Sequence, residues 1–139
     1  MIAADQGTKA FAVAALSDGH DVHLVGPFSL VLAYNRGVAF SLGSSVGAPL
    51  IALAAVVVVV IVAFGRRLPG RLGVASLGLV VGGALSNLGD RLFRPAGVVD
   101  FLHSTFWPTF NLADSAIVVG CVLLALALLR ERPAGSPAR

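Results

Sequence analysis

Two aspartates stand out in this sequence because each lies at the edge of a long apolar segment. Asp100 lies in Val98-Val99-Asp100-Phe101, and Asp114 closes Phe110-Asn111-Leu112-Ala113-Asp114. Ionised acids are costly beside apolar membrane segments, which makes such residues candidates for function. When two carboxylates are close together, one of them keeps its proton. Such a pair can hold a water molecule, with one member acting as general base and the other polarising a peptide carbonyl. The two residues are therefore candidates for a catalytic aspartate dyad that hydrolyses peptides.

The same two residues also fit a structural role. Asp114 lies near the start of a predicted helix and Asp100 lies in a predicted loop, and aspartate is common as a helix cap at such places. The residues alone leave both interpretations open.

Other polar residues fall at helical spacing. Asp5 and Lys9 are one turn apart, which predicts an ion pair on one helix face. Asn87, Asp90 and Arg91 are three and four residues apart, which predicts a polar face that looks inward. We interpret Arg91, one turn from Asn87, as an anchor of a hydrogen-bond network that supports the two aspartates.

The sequence disfavours three other chemistries. His20 and His23 have the spacing His-x-x-His in a polar interval, which is not the HExxH spacing of a zinc site. Lys9 is the only lysine, and pairing with Asp5 makes it a poor base for a serine nucleophile. Cys121 lies inside an apolar run, where a thiol is inert. We therefore expect neither a metal ion nor a cofactor.

The composition indicates an integral membrane protein. Of 139 residues, 57% are hydrophobic and only 12% are charged, and the mean hydropathy is +0.91. A net charge of +3 could indicate a nucleic-acid partner, but the arginines lie at the ends of apolar runs without interleaved aromatics. We therefore expect a lipid bilayer as partner and no nucleic acid.

The apolar runs predict an all-α membrane protein with four transmembrane helices. We place them at residues 1–16, 47–64, 72–93 and 111–130. The first is short for a membrane span, and we expect it to be truncated by a start codon placed too late. Residues 21–44 predict a small extracytoplasmic β-element, and residues 94–109 an interfacial loop or helix. We expect residues 1–132 to form one domain and residues 133–139 a disordered cytoplasmic tail.

The arginines also predict the orientation. The two cytoplasmic segments would be the loop at 66–71 and the C-terminal tail, because short cytoplasmic segments are rich in Arg. Those segments contain Arg66, Arg67, Arg71, Arg130, Arg132 and Arg139. The β-element, Asp100 and Asp114 would then face outward. Gly78, Gly82 and Ser86 recur every fourth residue and predict close helix packing.

Five segments carry a recognisable pattern. They are Asp5-Gln6-Gly7-Thr8-Lys9, Asn35-Arg36-Gly37-Val38-Ala39-Phe40-Ser41, Gly82-Gly83-Ala84-Leu85-Ser86-Asn87-Leu88-Gly89-Asp90-Arg91, Val98-Val99-Asp100-Phe101 and Phe110-Asn111-Leu112-Ala113-Asp114. In this order they resemble the motifs of the lipoprotein signal peptidase family, also called signal peptidase II. Ser86 departs from the pattern, since the family usually has glycine there.

The resemblance implies a four-helix aspartic peptidase of the bacterial inner membrane, with a β-cradle and a small interfacial helix outside. It implies that the enzyme removes signal peptides from diacylglyceryl-modified prolipoproteins by cutting before the lipid-bearing cysteine. Asp100 and Asp114 would be its catalytic pair. Supporting or substrate-contacting positions would be Asp5, Lys9, Asn35, Gly37, Asn87, Asp90, Arg91, Asn111 and Ala113. We expect the enzyme to act as a monomer.

Two other functions remain open at this point. In a small proton- or ion-coupled transporter, the aspartates would relay protons, although relays usually cross the membrane midplane and these acids cluster at one edge. In a non-catalytic assembly protein, the small residues at 78, 82 and 86 would form the interface.

Overall fold

The computed structural model describes residues 1–36, Val59 and residues 70–130. Within 1–36 and 70–130 the chain forms three helices and four strands. Their order is α1 (Ile2–Leu16), β1 (Val22–His23), β2 (Phe28–Asn35), α2 (Gly70–Phe93), β3 (Val98–Ser104), β4 (Trp107–Phe110) and α3 (Leu112–Arg130). The predicted helices at 1–16, 72–93 and 111–130 are confirmed to within two residues at each end. The predicted helix at 47–64 and the tail at 133–139 lie outside the described residues, Val59 apart, so the count of four helices stays a prediction.

Among the described elements, α2 and α3 are long and apolar enough to cross a bilayer. With 24 and 19 residues, they extend about 36 and 28 Å at the ordinary helical rise. They pack antiparallel and closely, because glycine faces the neighbouring helix at two levels. A Cβ atom on Gly83 would lie 2.6 Å from the carbonyl oxygen of Ala113, and one on Gly120 would lie 2.7 Å from Cγ2 of Val80. The end of α2 and the start of α3 therefore lie side by side.

Helix α1 runs alongside α2 in the same direction. Its buried face consists of Asp5, Lys9, Ala12 and Leu16, which fall on one side of a helix at these spacings. The polar half of this face lies against α2. Its apolar half packs under Phe101 of β3, and Leu30, Leu32 and Leu102 surround that contact. One short helix thus joins the membrane-spanning pair to the sheet.

The four strands form one antiparallel sheet in the order β1-β2-β3-β4. Strands β1 and β2 confirm the part of the predicted β-element that is described, and residues 37–44 lie outside the described residues. The central pairing of β2 with β3 places Ala33 opposite Asp100. Gly97 precedes β3 with φ +101°, and a Cβ atom there would lie 2.6 Å from the carbonyl oxygen of Asn35. Glycine permits both the turn and this close approach.

The prediction of an interfacial loop or helix at residues 94–109 is wrong, because most of this segment is the β3–β4 hairpin. Asp100 accordingly lies on a central strand and not in a loop. Val98, Val99 and Phe101 favour a strand, and β2 supplies the backbone partners that a buried segment needs.

Candidate active site

Asp114 lies in the first turn of α3, where it takes part in a reciprocal cap. Its backbone N–H donates to Oδ1 of Asn111 at 3.0 Å, and the N–H of Asn111 donates to Oδ2 of Asp114 at 3.1 Å. This is the geometry of a capping box, in which the N-cap residue and the third helical residue satisfy each other's amides. The structural interpretation of Asp114 as a cap is therefore correct for one of its oxygens. The other oxygen, Oδ1, accepts a hydrogen bond from Nδ2 of Asn87 at 2.8 Å.

Asp100 lies on β3 and is only 3% exposed. Its Oδ1 accepts a hydrogen bond of 2.7 Å from Nδ2 of Asn111. Burial raises the pKa of Asp100 to about 6, and the negative charge of Asp114 acts in the same direction. Hydrogen bonds from Asn35 and Asn111 to the carboxylate lower this pKa and offset part of the rise. Asp100 is thus the acid that holds a proton more readily than an ordinary aspartate.

Two asparagines connect the two carboxylates. Nδ2 of Asn111 lies within hydrogen-bond distance of Asp100, of Oδ1 of Asn87 at 3.1 Å and of the carbonyl oxygen of Val99 at 3.3 Å. Nδ2 of Asn87 in turn donates to Asp114. The path from one acid to the other therefore runs through two side-chain amides, contributed by α2 and by the residue before α3.

Lys9 sits behind these asparagines and is fully buried. Its ammonium has three acceptors, namely Oδ2 of Asp5 at 2.7 Å, Oδ2 of Asp90 at 2.7 Å and Oδ1 of Asn87 at 2.8 Å. Because an ammonium has three donors, every one is satisfied. The predicted Asp5–Lys9 ion pair is confirmed, and it lies at the centre of the site.

Asp5 also connects α1 to the start of α3. Its Oδ1 accepts the backbone N–H of Ala113 at 2.8 Å, so a residue of another helix satisfies an N-terminal amide of α3. Its Oδ2 accepts a hydrogen bond of 2.7 Å from the hydroxyl of Ser86. Ala113 is fully buried, and its small side chain fits this tight contact.

Asp90 connects the helices to the sheet. Besides Lys9, it accepts hydrogen bonds from Nε of Arg94 at 2.9 Å, from Nε2 of Gln6 at 3.0 Å and from the backbone N–H of Val99 at 3.4 Å. Neither Arg94 nor Gln6 was among the predicted site residues. The spacing of Asp90 and Arg94 at i and i+4 is a signal that could have revealed this ion pair.

The remaining predicted site residues differ in their positions. The Asn35 side chain forms a hydrogen bond with the Asp100 carboxylate and thereby lowers its pKa. Arg91 donates from Nη1 to the backbone carbonyl of Asn87 at 3.1 Å. Among the described contacts it reaches neither carboxylate of the pair, so its predicted support of the network goes through the α2 backbone. Gly37 lies outside the described residues.

The arrangement provides two linked carboxylates at one end of the helices. Because α2 and α3 are antiparallel, Arg71 and Arg130 lie at the opposite end. Within residues 1–36 and 70–130, no group of three side chains is placed to hold a metal ion.

The fold resembles two solved structures, each described as a bacterial membrane enzyme. The first has a TM-score of 0.71 with 24% identity and covers 94% of this chain and 88% of that chain. The second has a TM-score of 0.69 with 23% identity and covers 99% and 88%. The chain thus has the same fold as these two structures.

The family model of signal peptidase (SPase) II matches residues 1–130, and the chain belongs to this family of membrane proteases. The resemblance stated from the five motifs is confirmed. The transporter alternative receives no support from the match.

Relatives named lipoprotein signal peptidase cover most of the chain. The protein of Rhodococcus jostii is 43% identical over 98% of this chain and 72% of its own length. The protein of Mycobacterium avium is 40% identical over 91% of this chain and 72% of its own. The Mycobacterium tuberculosis protein is 41% identical over 86% of this chain and 62% of its own. The chain thus spans about two thirds of the length of these relatives.

Proposed function

We propose that this chain is an aspartic endopeptidase that removes signal peptides from diacylglyceryl-modified bacterial prolipoproteins, cutting before the lipid-modified cysteine. Its catalytic residues would be Asp100 and Asp114. The observation that carries the proposal is the link between these two acids through Asn87 and Asn111, combined with membership of a signal peptidase family. Two aspartates that only capped helices would not need to be linked through the side-chain amides of the same two asparagines.

The raised pKa of Asp100 supports an assignment of roles within the pair. Asp100 would carry the single proton and act as the acid, and Asp114 would act as the base. Asp114 takes a proton from a water molecule that lies between the two carboxyl groups, and the water oxygen attacks the scissile carbonyl carbon. Asp100 gives its proton to the carbonyl oxygen as that oxygen gains negative charge. The proton on Asp114 then passes to the leaving amine as the carbon–nitrogen bond breaks. As the carbonyl double bond forms again, its oxygen returns its proton to Asp100, which restores the pair with one proton.

The surrounding residues would hold the carboxyl groups of Asp100 and Asp114 in fixed positions. Asn87 and Asn111 fix the directions of the two carboxyl groups, and Lys9 and Asp5 hold the asparagines and the start of α3 in place. Such an arrangement is formed before the substrate binds, which reduces the reorganisation needed in the transition state.

The site would face outward from the inner membrane. Arg71 and Arg130 mark the cytoplasmic end of α2 and α3, so the carboxylates lie at the outer end. Phe106 and Trp107 are exposed on the β3–β4 hairpin near this end, as expected of residues at the membrane–water interface. A substrate anchored by lipid presents its cleavage site at this depth. We further propose that residues 1–132 act as a single domain and as a monomer.

Cleavage of a diacylglyceryl-modified prolipoprotein peptide in detergent tests the proposal. Asp100→Asn and Asp114→Asn should each reduce kcat by at least a hundredfold, the usual effect of losing a general acid or base. Asp21→Asn is the matched control, because Asp21 is an exposed aspartate between α1 and β1. Retention of the wild-type rate by either dyad variant would disprove the assignment, and failure of the wild-type chain to cut would disprove the activity.

A further inference from the structure

A cavity of about 370 Å³ adjoins the carboxylate of Asp114. Besides Asp114, Ser104 and Ser115, its lining is apolar and consists of Phe28, Phe106, Trp107, Phe110, Val118 and Val119. The rings of Phe28 and Phe106 meet edge to face at 6.0 Å, which is a favourable aromatic contact. The cavity therefore has a wall of packed aromatic side chains on the sheet side.

The other wall belongs to a membrane-spanning helix. Val118 and Val119 lie one turn beyond Asp114 on α3, and they are 61% and 49% exposed. A helix of this length and composition presents such residues to lipid. The cavity thus connects one carboxylate of the pair to the hydrocarbon side of the protein.

Ser104 contributes a polar group to this otherwise largely apolar cavity. It is 2% exposed, and its hydroxyl has no hydrogen-bond partner among the residues that the structure describes. Buried hydroxyl groups normally have a partner. Ser104 is one of the residues that line the cavity, so a molecule bound there can provide the missing acceptor.

The lining limits the chemistry of that acceptor. No lysine, arginine or histidine is among the described residues around the cavity, so nothing there favours a phosphate. An uncharged carbonyl oxygen attached to a hydrocarbon chain satisfies both the hydroxyl and the apolar walls. The ester of an acylated glycerol has this combination.

The distances suit a lipid carried by the substrate. Ser104 is four residues after Asp100 on the same strand, which corresponds to about 13 Å along β3 with both side chains on one face. In a diacylglyceryl-modified cysteine, the ester carbonyl is roughly eight bonds from the scissile carbonyl, about 10 Å when extended.

We infer that this cavity binds one acyl chain of the diacylglyceryl group, and that the Ser104 hydroxyl donates a hydrogen bond to its ester carbonyl. The inference rests on the proposed function, because it assigns a place to the lipid of that substrate. It makes Ser104 a residue that recognises the lipid modification, while the aspartates act on the peptide bond.

Kinetics with two substrates test the hydrogen bond. One substrate is a diacylglyceryl prolipoprotein peptide, and the other is its dialkylglyceryl analogue, whose ether links lack the carbonyl. Ser104→Ala should raise KM about three- to tenfold for the ester substrate, the usual effect of one lost hydrogen bond, and leave KM for the ether substrate unchanged. Ser29→Ala, on the neighbouring strand and outside the cavity lining, is the control. Equal effects of Ser104→Ala on both substrates, or no effect on either, would overturn the inference.

A second variant tests the cavity itself. Val118→Phe fills it and should raise KM for both substrates. Val122→Phe is the matched control, since Val122 is exposed one turn further along α3 and does not line the cavity. If both valine variants had the same KM as the wild type, no acyl chain would occupy this space.

Photolabelling gives a readout that does not require cleavage. A substrate with a diazirine on one acyl chain is irradiated with the full chain in detergent, and the labelled residues are found by mass spectrometry. Label within residues 104–119 that excess phosphatidylglycerol does not displace supports the inference. Label only on α1, or label that this phospholipid removes, overturns it. If the wild type does not cleave but is labelled within 104–119, the proposed function fails and the binding site stands.

Discussion

The ammonium of Lys9 lies 2.8 Å from Oδ1 of Asn87, and this contact sets the direction of the asparagine side chain. The same oxygen accepts a hydrogen bond from Asn111. Because a side-chain amide has its acceptor and its donors on opposite sides, Nδ2 of Asn87 is left to face Asp114. A lysine on the first helix thereby orients a donor toward the carboxylate of Asp114. Lys9 itself touches neither Asp100 nor Asp114 in the described contacts.

Removal of the Lys9 charge should destabilise the fold strongly. Lys9→Met keeps most of the side-chain volume but leaves Asp5 and Asp90 buried without their shared cation. Breaking such a buried pair on one side usually costs about 3–5 kcal/mol. Chemical unfolding in detergent measures this loss.

The double variant Lys9→Met/Asp5→Asn is the control for that experiment. It removes one uncompensated charge and leaves Asp90 paired with Arg94, so it should recover part of the lost stability. If the double variant were less stable than Lys9→Met alone, charge imbalance would not be the cause.

The pKa of Asp100 predicts the pH dependence of cleavage. If the active pair contains one proton and Asp100 holds it, kcat/KM should fall as the pH rises above about 6. The hydrogen bond from Asn35 lowers the pKa of Asp100. Asn35→Ala should therefore raise that pKa and move the alkaline limb of the profile to higher pH. Tyr34→Phe, at the exposed neighbouring position, should leave the limb in place, and a shift to lower pH in Asn35→Ala would contradict this assignment.

Ser86, which stands where the family usually has glycine, forms side-chain hydrogen bonds in this chain. Ser86 donates to Asp5 at 2.7 Å and accepts a hydrogen bond from Gln6 at 3.1 Å. Ser86→Ala should lower the free energy of unfolding by about 1 kcal/mol, the typical contribution of a buried hydrogen bond. Ser76→Ala is the control, because Ser76 is equally buried on α2 but, among the described residues, its hydroxyl bonds only the carbonyl of Gly73 in its own helix. Equal losses in the two variants would show that the Asp5 contact contributes nothing.

Helices α2 and α3 were predictable because hydropathy alone identifies long apolar segments. The β3–β4 hairpin was not, for two physical reasons. Besides β4, strand β3 pairs with β2, more than sixty positions earlier in the chain, and periodicity within a segment does not indicate so distant a pairing. Pro108 also argues against a strand, but β4 is at the edge of the sheet, where proline is tolerated.

The sequence predicted which residues form the candidate site, but it did not predict the hydrogen bonds that connect them. The motifs indicated Lys9, Asn87 and Asp90, yet their contact depends on how α1 lies against α2. The capping box of Asn111 and Asp114 had a local signal, since polar residues three apart at a helix start are typical of it. Ser104 had only a weak local signal. It lies an even number of positions after Asp100, which places both side chains on one face only if the segment is a strand, and that strand was not predicted. What could not be predicted was the direction of each side-chain amide, which several distant partners set together.

The packing of α2 against α3 should be as important for the site as the polar contacts. A Cβ atom on Gly83 would lie 2.6 Å from the carbonyl oxygen of Ala113 and 2.9 Å from Cγ1 of Ile117. Gly83→Ala must therefore push the two helices apart, at a cost of about 1–3 kcal/mol in unfolding free energy. The same movement separates Asn87 from Asp114, and a misplacement of about 1 Å can lower kcat/KM by a hundredfold.

Gly78→Ala is the matched control for this last prediction. It adds the same methyl group to the same helix, but at an exposed position with no described atom within 4 Å of the new Cβ. Alanine favours a helix over glycine by up to about 1 kcal/mol, so this variant should be as stable as the wild type or more stable. Unfolding and cleavage measured on both variants separate the two effects. If Gly83→Ala lost stability but cleaved at the wild-type rate, the close approach of α2 and α3 would hold the fold together without positioning Asp114.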